Sequence, residues 1–171
     1  MTDVLWGHRP PPPLAGEVTV VGRWRPTSAR QLTQARRQLA AALDRNPGAA
    51  AGAVERLLLA QEEIGSNAVR HGLQPVQITV TQSDVHWLLE VSDAAVDAVP
   101  VPAVDRDAAQ GGLGLYVVAR TCGAHGWFAY GSRKTVWARI DRARPEAPAE
   151  VVDALPKPSL DTTRRRQRGG R

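Results

Sequence analysis

The chain predicts an α/β fold of the two-layer sandwich kind, a mostly antiparallel mixed sheet with helices on one face. Three observations lead there. Apolar residues recur at helical spacing over 28–45 and again over 53–71. Shorter segments alternate apolar and polar residues with a period of two. The alternating segments come mostly as hairpins with the helices grouped apart, which favours antiparallel pairing and segregated layers.

Taken in order, "GEVTVVGRW" alternates Val18, Val20 and Gly22 against Thr19 and Val21 and predicts a first strand. Pro26 breaks it. Ser28, with Gln31 three residues on, has the form of a capping box. Leu32, Ala35, Leu39, Ala42 and Leu43 then trace an amphipathic helix, which "NPGAAAG" ends. A second helix runs from about Ala53 to His71, with Val54, Leu57, Leu58, Ile64 and Ala68 on its inner side. Gly72 is expected to close it in a left-handed conformation, and His71 suits the helix C-terminus.

Two strands follow, one pointing Val76, Ile78 and Val80 to one side, the other Val85, Trp87, Leu89 and Val91. A turn at Ser83-Asp84 joins them. A long segment without periodicity, "AAVDAVPVPAVDRDAAQ", leads to a third helix carrying Leu115, Val117 and Val118. A segment of that length inside a compact domain has the character of a lid or binding loop. The hairpin "GWFAYGSRKTVWARI" closes the domain, with its turn at Gly131-Ser132.

Three units are expected: a disordered Pro-rich N-terminus over 1–15, with the Pro run at 10–13 extended and free of tertiary contacts; a folded domain over 16–141; and a disordered basic tail over 142–171. The chain of 171 residues has a formal charge of +5, and five arginines without an acid stand between Thr162 and Arg171. The remainder is therefore formally neutral, and the body has no net attraction for phosphate backbones. The tail reads as a solubilising end, with a docking or nucleic-acid arm as the alternative. A single cysteine, Cys122, excludes an internal disulfide and suits a reducing compartment. With no basic leader and no apolar run of membrane length, the expected location is cytoplasmic.

Candidate chemistry sits in three places. Glu63, Asn67 and Arg70 are spaced four and three apart and share one helix face at the margin of the apolar side. Glycine inside a helix costs roughly 1 kcal/mol against alanine, so Gly65 calls for a reason, and relief of crowding against a neighbour is one. Gly111, Gly112 and Gly114 precede the third helix, where backbone can approach a ligand and the helix N-terminus offers unpaired N–H groups. Asp93 ends an alternating strand, as a turn residue or as part of a site.

In this order, "EEIGSNAVRHG", Asp93, "GGLGLYVVA" and "KTVWARI" resemble the GHKL ATP-binding domains over about 16–141, and most of all the small anti-sigma-factor serine/threonine kinases. The resemblance implies ATP and Mg²⁺ as cofactors. Asn67 matches the amide whose oxygen binds Mg²⁺, and Glu63 matches the carboxylate that takes a proton from the attacking hydroxyl or orients it. Asp93 matches the acceptor for the adenine amino group. Gly112 and Gly114, with Leu115 beside them, match the nucleotide-binding end of the lid, and Thr135 matches a last-strand threonine close to the adenine. The family often has glycines after the adenine-binding aspartate, whereas Ala94, Ala95 and Val96 stand here. Lys134 reads as a hairpin charge. The implied partners are a sigma factor and a small antagonist protein, phosphorylated on Ser or Thr, with a homodimer expected and neither membrane nor nucleic acid. The alternative is a nucleotide-responsive binding module of the same fold without kinase activity.

Overall fold

The computed structural model describes residues 5–46, 48–101 and 113–143. Its elements are β1 (Thr19–Trp24), α1 (Ala29–Asp44), α2 (Ala51–His71), β2 (Gln77–Gln82), β3 (His86–Asp93), α3 (Leu113–Thr121), β4 (Ala124–Tyr130) and β5 (Arg133–Asp141). The five strands form one sheet in the order β1-β2-β3-β5-β4, and every neighbouring pair is antiparallel. The predicted sandwich is present, with no parallel strand pair within that sheet. α2 lies against β3 and β5, flanked by α1 and α3.

α1 starts where its cap residue stands. Ser28 Oγ accepts the Gln31 N–H at 3.3 Å, while Gln31 Oε1 returns to the Thr27 N–H at 2.8 Å, one residue earlier than a strict capping box. Leu32, Ala35, Leu39 and Leu43 are its buried stripe. Each fully buried leucine contributes about 2 kcal/mol. Leu57, Ile64 and Ala68 of α2 meet that stripe and the inner residues Ile78, Val80, Leu89, Val91, Val136, Ala138 and Ile140 of the sheet. Gly65 marks the tightest point. A Cβ there would come within 2.7 Å of Leu32 Cδ1 and 3.3 Å of Ile78 Cδ1, so the glycine lets α1 and β2 close on α2. The crowding expected at Gly65 is real.

Several expectations are corrected. In β1 the register against β2 slips between Val20 and Gly22. One extra residue exchanges the faces of a strand, so Val18 and Val20 are about half exposed and Val21 packs on the core instead. Val85 is exposed because it belongs to the turn, where Ser83 N–H donates to His86 O at 2.8 Å. Gly72 has φ −81° and ψ −177°, an extended conformation and not a left-handed one.

The N-terminus departs most. Residues 5–9 are not free of the domain. Trp6 is 1% exposed, and its indole Nε1 donates to Leu115 O at 3.2 Å. Gly7 and Arg9 bracket β4 in a parallel bridge, Trp127 N–H donating to Gly7 O and Arg9 N–H donating to Trp127 O. Arg9 O then accepts Trp137 Nε1–H at 2.8 Å, with the guanidinium over the same indole. Trp137 stands one residue out of phase with Val136 and Ala138, on the face of the sheet away from the helices. The segment therefore begins in the core, rounds the β4 edge and reaches the outer face, on its way to β1 at the opposite edge. The physical reason is cover: β4 would otherwise present a bare edge and Trp137 a bare ring. His125 joins in, its Nε2–H donating to Leu5 O at 2.8 Å, and burial pushes its imidazole below the usual 6.5.

At the other end the domain reaches past 141. Arg142 donates to Ser83 O at 2.7 Å, lies over the Trp87 ring, and accepts the Ala50 N–H on its carbonyl. The remainder of the predicted tail, from 144, lies outside the described residues, as does Gly112.

Candidate functional site

Glu63 and Asn67 stand one turn apart on α2, both half-buried. Glu63 leans onto the first turn of α3, where a Cβ on Gly114 would overlap its carboxylate. Gly114 is thus required by Glu63, because only a residue without a side chain lets α3 approach the carboxylate so closely. Burial raises the Glu63 carboxyl above its ordinary 4.5; the neighbouring charge of Glu62 adds to this and Arg70 opposes it. A half-buried carboxyl with raised proton affinity, packed against the start of a neighbouring helix, has the character of a general base. Arg70, on the same face, donates to Ser66 Oγ at 2.6 Å and is exposed.

The other end lies nine residues along α2, about 13 Å at 1.5 Å per residue, a separation suited to the length of an extended nucleoside triphosphate. There Asp93, 2% exposed, ends β3 beneath Gly72. A Cβ on Gly72 would meet Asp93 Cγ at 2.8 Å and Ala68 O at 2.5 Å, so this glycine is held by close approach and not by a turn. Asp93 Oδ1 accepts the Ala95 N–H at 2.7 Å, and Oδ2 lies 3.3 Å from Lys134 Nζ. Lys134 also donates to Ala98 O at 2.9 Å. The chain after β3 is tied back once more, Ala94 N–H donating to Leu73 O at 2.8 Å.

Of the predicted residues, the fold brings Glu63 and Gly114 together midway along α2, places Asn67 one turn further on, and sets Asp93 at the C-terminal end of the helix. Two do not join them. Thr135 pairs across the ladder with Ser92, while Asp93 pairs with Lys134. Directly paired residues share a face, so Thr135 stands on the outer face of the sheet, away from Asp93. Leu115 is 4% exposed with its side chain in the core, and its carbonyl is occupied by Trp6. Lys134 and Gly72 are the residues that sequence reasoning missed. Lys134 carried a signal: it has the parity of Val136, Ala138 and Ile140, the inward set of β5. Gly72 carried none, since only the fold sets β3 beside the end of α2.

The donor set fits a nucleotide with its metal better than a resident metal. Among the described residues no group of three or more His, Cys, Asp or Glu is placed to hold an ion. A single amide oxygen at Asn67 suits Mg²⁺ that arrives with phosphates and keeps most ligands from them and from water. The two cradles that a Cβ would fill, at Gly72 and at Gly114, lie beside the carboxylates at the two ends. No helix among the described residues is long and apolar enough to cross a membrane.

A five-stranded antiparallel sheet under three helices, with an acid–amide pair on the central helix and an aspartate at the end of the central strand, is a two-layer α/β sandwich. Residues 25–140 match the model of the histidine kinase-like ATPase domain. The match spans more than half of the chain, and the chain belongs to that family. A search of curated proteins gives no match.

Proposed function

We propose that the chain is an ATP-dependent protein serine/threonine kinase of the anti-sigma type, which phosphorylates a small antagonist protein and sequesters a sigma factor. The observation that carries this reading is Glu63, half-buried, raised in proton affinity and packed on Gly114 where α3 begins. In the proposed reaction the oxygen of a Ser or Thr hydroxyl bonds to the γ-phosphorus and its proton passes to Glu63. The bond from that phosphorus to the β,γ-bridging oxygen breaks, and ADP leaves with the electron pair. Mg²⁺ supplies charge neutralisation on the phosphates when bound, and Asn67 is the residue that would hold it. The resemblance of "EEIGSNAVRHG", "GGLGLYVVA" and "KTVWARI" to the anti-sigma kinases supports the branch, the partners and the expected homodimer.

A second reading, a nucleotide-responsive binding module, is favoured by Ala94, Ala95 and Val96 after Asp93, in a stretch that Lys134 pins through Ala98 O. Incubation with Mg²⁺ and γ-labelled ATP together with a candidate antagonist separates the two. Transfer of label to a Ser or Thr supports the kinase. Nucleotide binding without transfer leaves the module. Mg-ATP that fails to raise the melting temperature removes both, because a ligand specific to the native state must stabilise it.

A further inference from the structure

Lys134 is an uncommon lysine. It stands in the inward set of β5, 6% exposed, where a methionine would fill similar space without giving up hydration. Taking an ammonium and a carboxylate out of water costs several kcal/mol each unless good geometry returns it, so a pair of this kind calls for a use beyond packing. Its two contacts show what it holds together. One is Asp93 Oδ2 at 3.3 Å and the other is Ala98 O at 2.9 Å, while Asp93 Oδ1 takes the amide of Ala95. The turn after β3 is thus closed twice on the same two side chains: Asp93 holds its beginning and Lys134 its end. No glycine stands between 93 and 101, and the Asp93 carboxylate is wedged on its other side by the Cα of Gly72.

Resting on the ATP-binding reading, we propose that Lys134 is the positioning residue for base recognition. It fixes the rotamer of Asp93 and locks the Ala94–Ala98 turn to it before a nucleotide arrives. Selection of a purine bearing an exocyclic amine then depends on Lys134, although Asp93 is the acceptor.

The test compares the full-length chain with Lys134→Met and Lys134→Arg by calorimetry, using Mg-ATP and Mg-purine riboside triphosphate, which differ only by the amine. The wild type prefers ATP. Lys134→Met weakens ATP at least about tenfold and leaves the analogue nearly unchanged, so the preference collapses; Lys134→Arg keeps most of it. A Met variant with the wild-type preference overturns the proposal, since a purely structural loss would weaken both ligands alike. Amide exchange without nucleotide is the second arm: Ala95 loses protection in Lys134→Met and regains it in Lys134→Arg, and unchanged protection overturns the proposal too. Wild type that binds neither triphosphate sinks the ATP-binding reading, while exchange at Ala95 still decides on Lys134. If the Met variant does not fold, Lys134→Gln, which keeps a donor without charge, takes its place in both arms with the same expected results.

Discussion

The middle of α2 and its C-terminal end hold their carboxylates in opposite ways. At the C-terminal end, Asp93 is buried between Gly72 and Lys134, with both oxygens engaged. Midway along the helix, Glu63 is half-exposed and rests on a glycine. The obstacles to an added methyl differ accordingly. At Gly72 it meets backbone, Ala68 O at 2.5 Å, which cannot move without unwinding the helix end. At Gly114 it meets only the far end of the Glu63 side chain, which can swing aside. A rigid end suits recognition of a flat base, and an adaptable end suits a proton transfer that must follow a moving phosphoryl group.

Substitutions sharpen or break this contrast, and the largest effect belongs to the chemistry. Glu63→Gln is expected to lower phosphotransfer by about 10²–10⁴-fold while ATP affinity by calorimetry stays within a few-fold, the range that a general base contributes. A variant that retains full turnover would remove Glu63 from the reaction.

Asn67→Ala comes next. Losing a ligand to a charged partner costs about 1.5–3 kcal/mol, so Mg-dependent ATP binding should weaken by roughly 10- to 100-fold, with the melting temperature of the free protein unchanged. Equal affinity with and without the amide would take the metal role from it.

The two glycines test the contrast itself. Gly72→Ala should destabilise the fold by about 1–3 kcal/mol through overpacking and should weaken ATP through Asp93. Gly114→Ala should change stability by less than about 1 kcal/mol, since alanine favours the helix, yet lower phosphotransfer as Glu63→Gln does. Chemical denaturation of both variants reads the difference. If Gly114→Ala unfolds the domain as readily as Gly72→Ala, the two ends are equally rigid and the contrast fails.

The smallest effect is in pH. The Glu63 carboxyl is raised in the folded state, so its contribution to stability is present below 4.5 and is lost as pH rises through the folded value. Glu63→Gln should therefore melt above the wild type at pH 7.5, with the gain shrinking toward pH 4.5. Thermal melts at the two pH values check the sign.

Much of the fold is legible in the chain because it is local. The spacing of Leu32, Ala35, Leu39 and Leu43 draws α1, Ser28 places its start, and the parity of Ile78, Val80, Leu89 and Val91 orients the central strands. The stretch "EEIGSNAVRHG" puts Glu63 and Asn67 on one helix face by spacing alone. Trp6 is hidden because a Pro-rich leader looks free on composition, and nothing nearby in sequence announces Leu115 or Trp137 as neighbours of that segment. The inversion of β1 is hidden because one bulge residue exchanges every side chain beyond it.

By itself, the sequence determined what periodicity and capping control: the kind and order of the elements, most of their inward faces, and the helix that carries an acid and an amide. Tertiary structure alone decided what depends on contacts between distant segments. It set Lys134 and not Thr135 beside Asp93, made Gly72 and Gly114 necessary to two carboxylates, and wrapped the N-terminus around the sheet. The physical reason is that hydrogen-bonding period and helix pitch act over a few residues, whereas desolvation and close packing are settled only when the strands have found their partners.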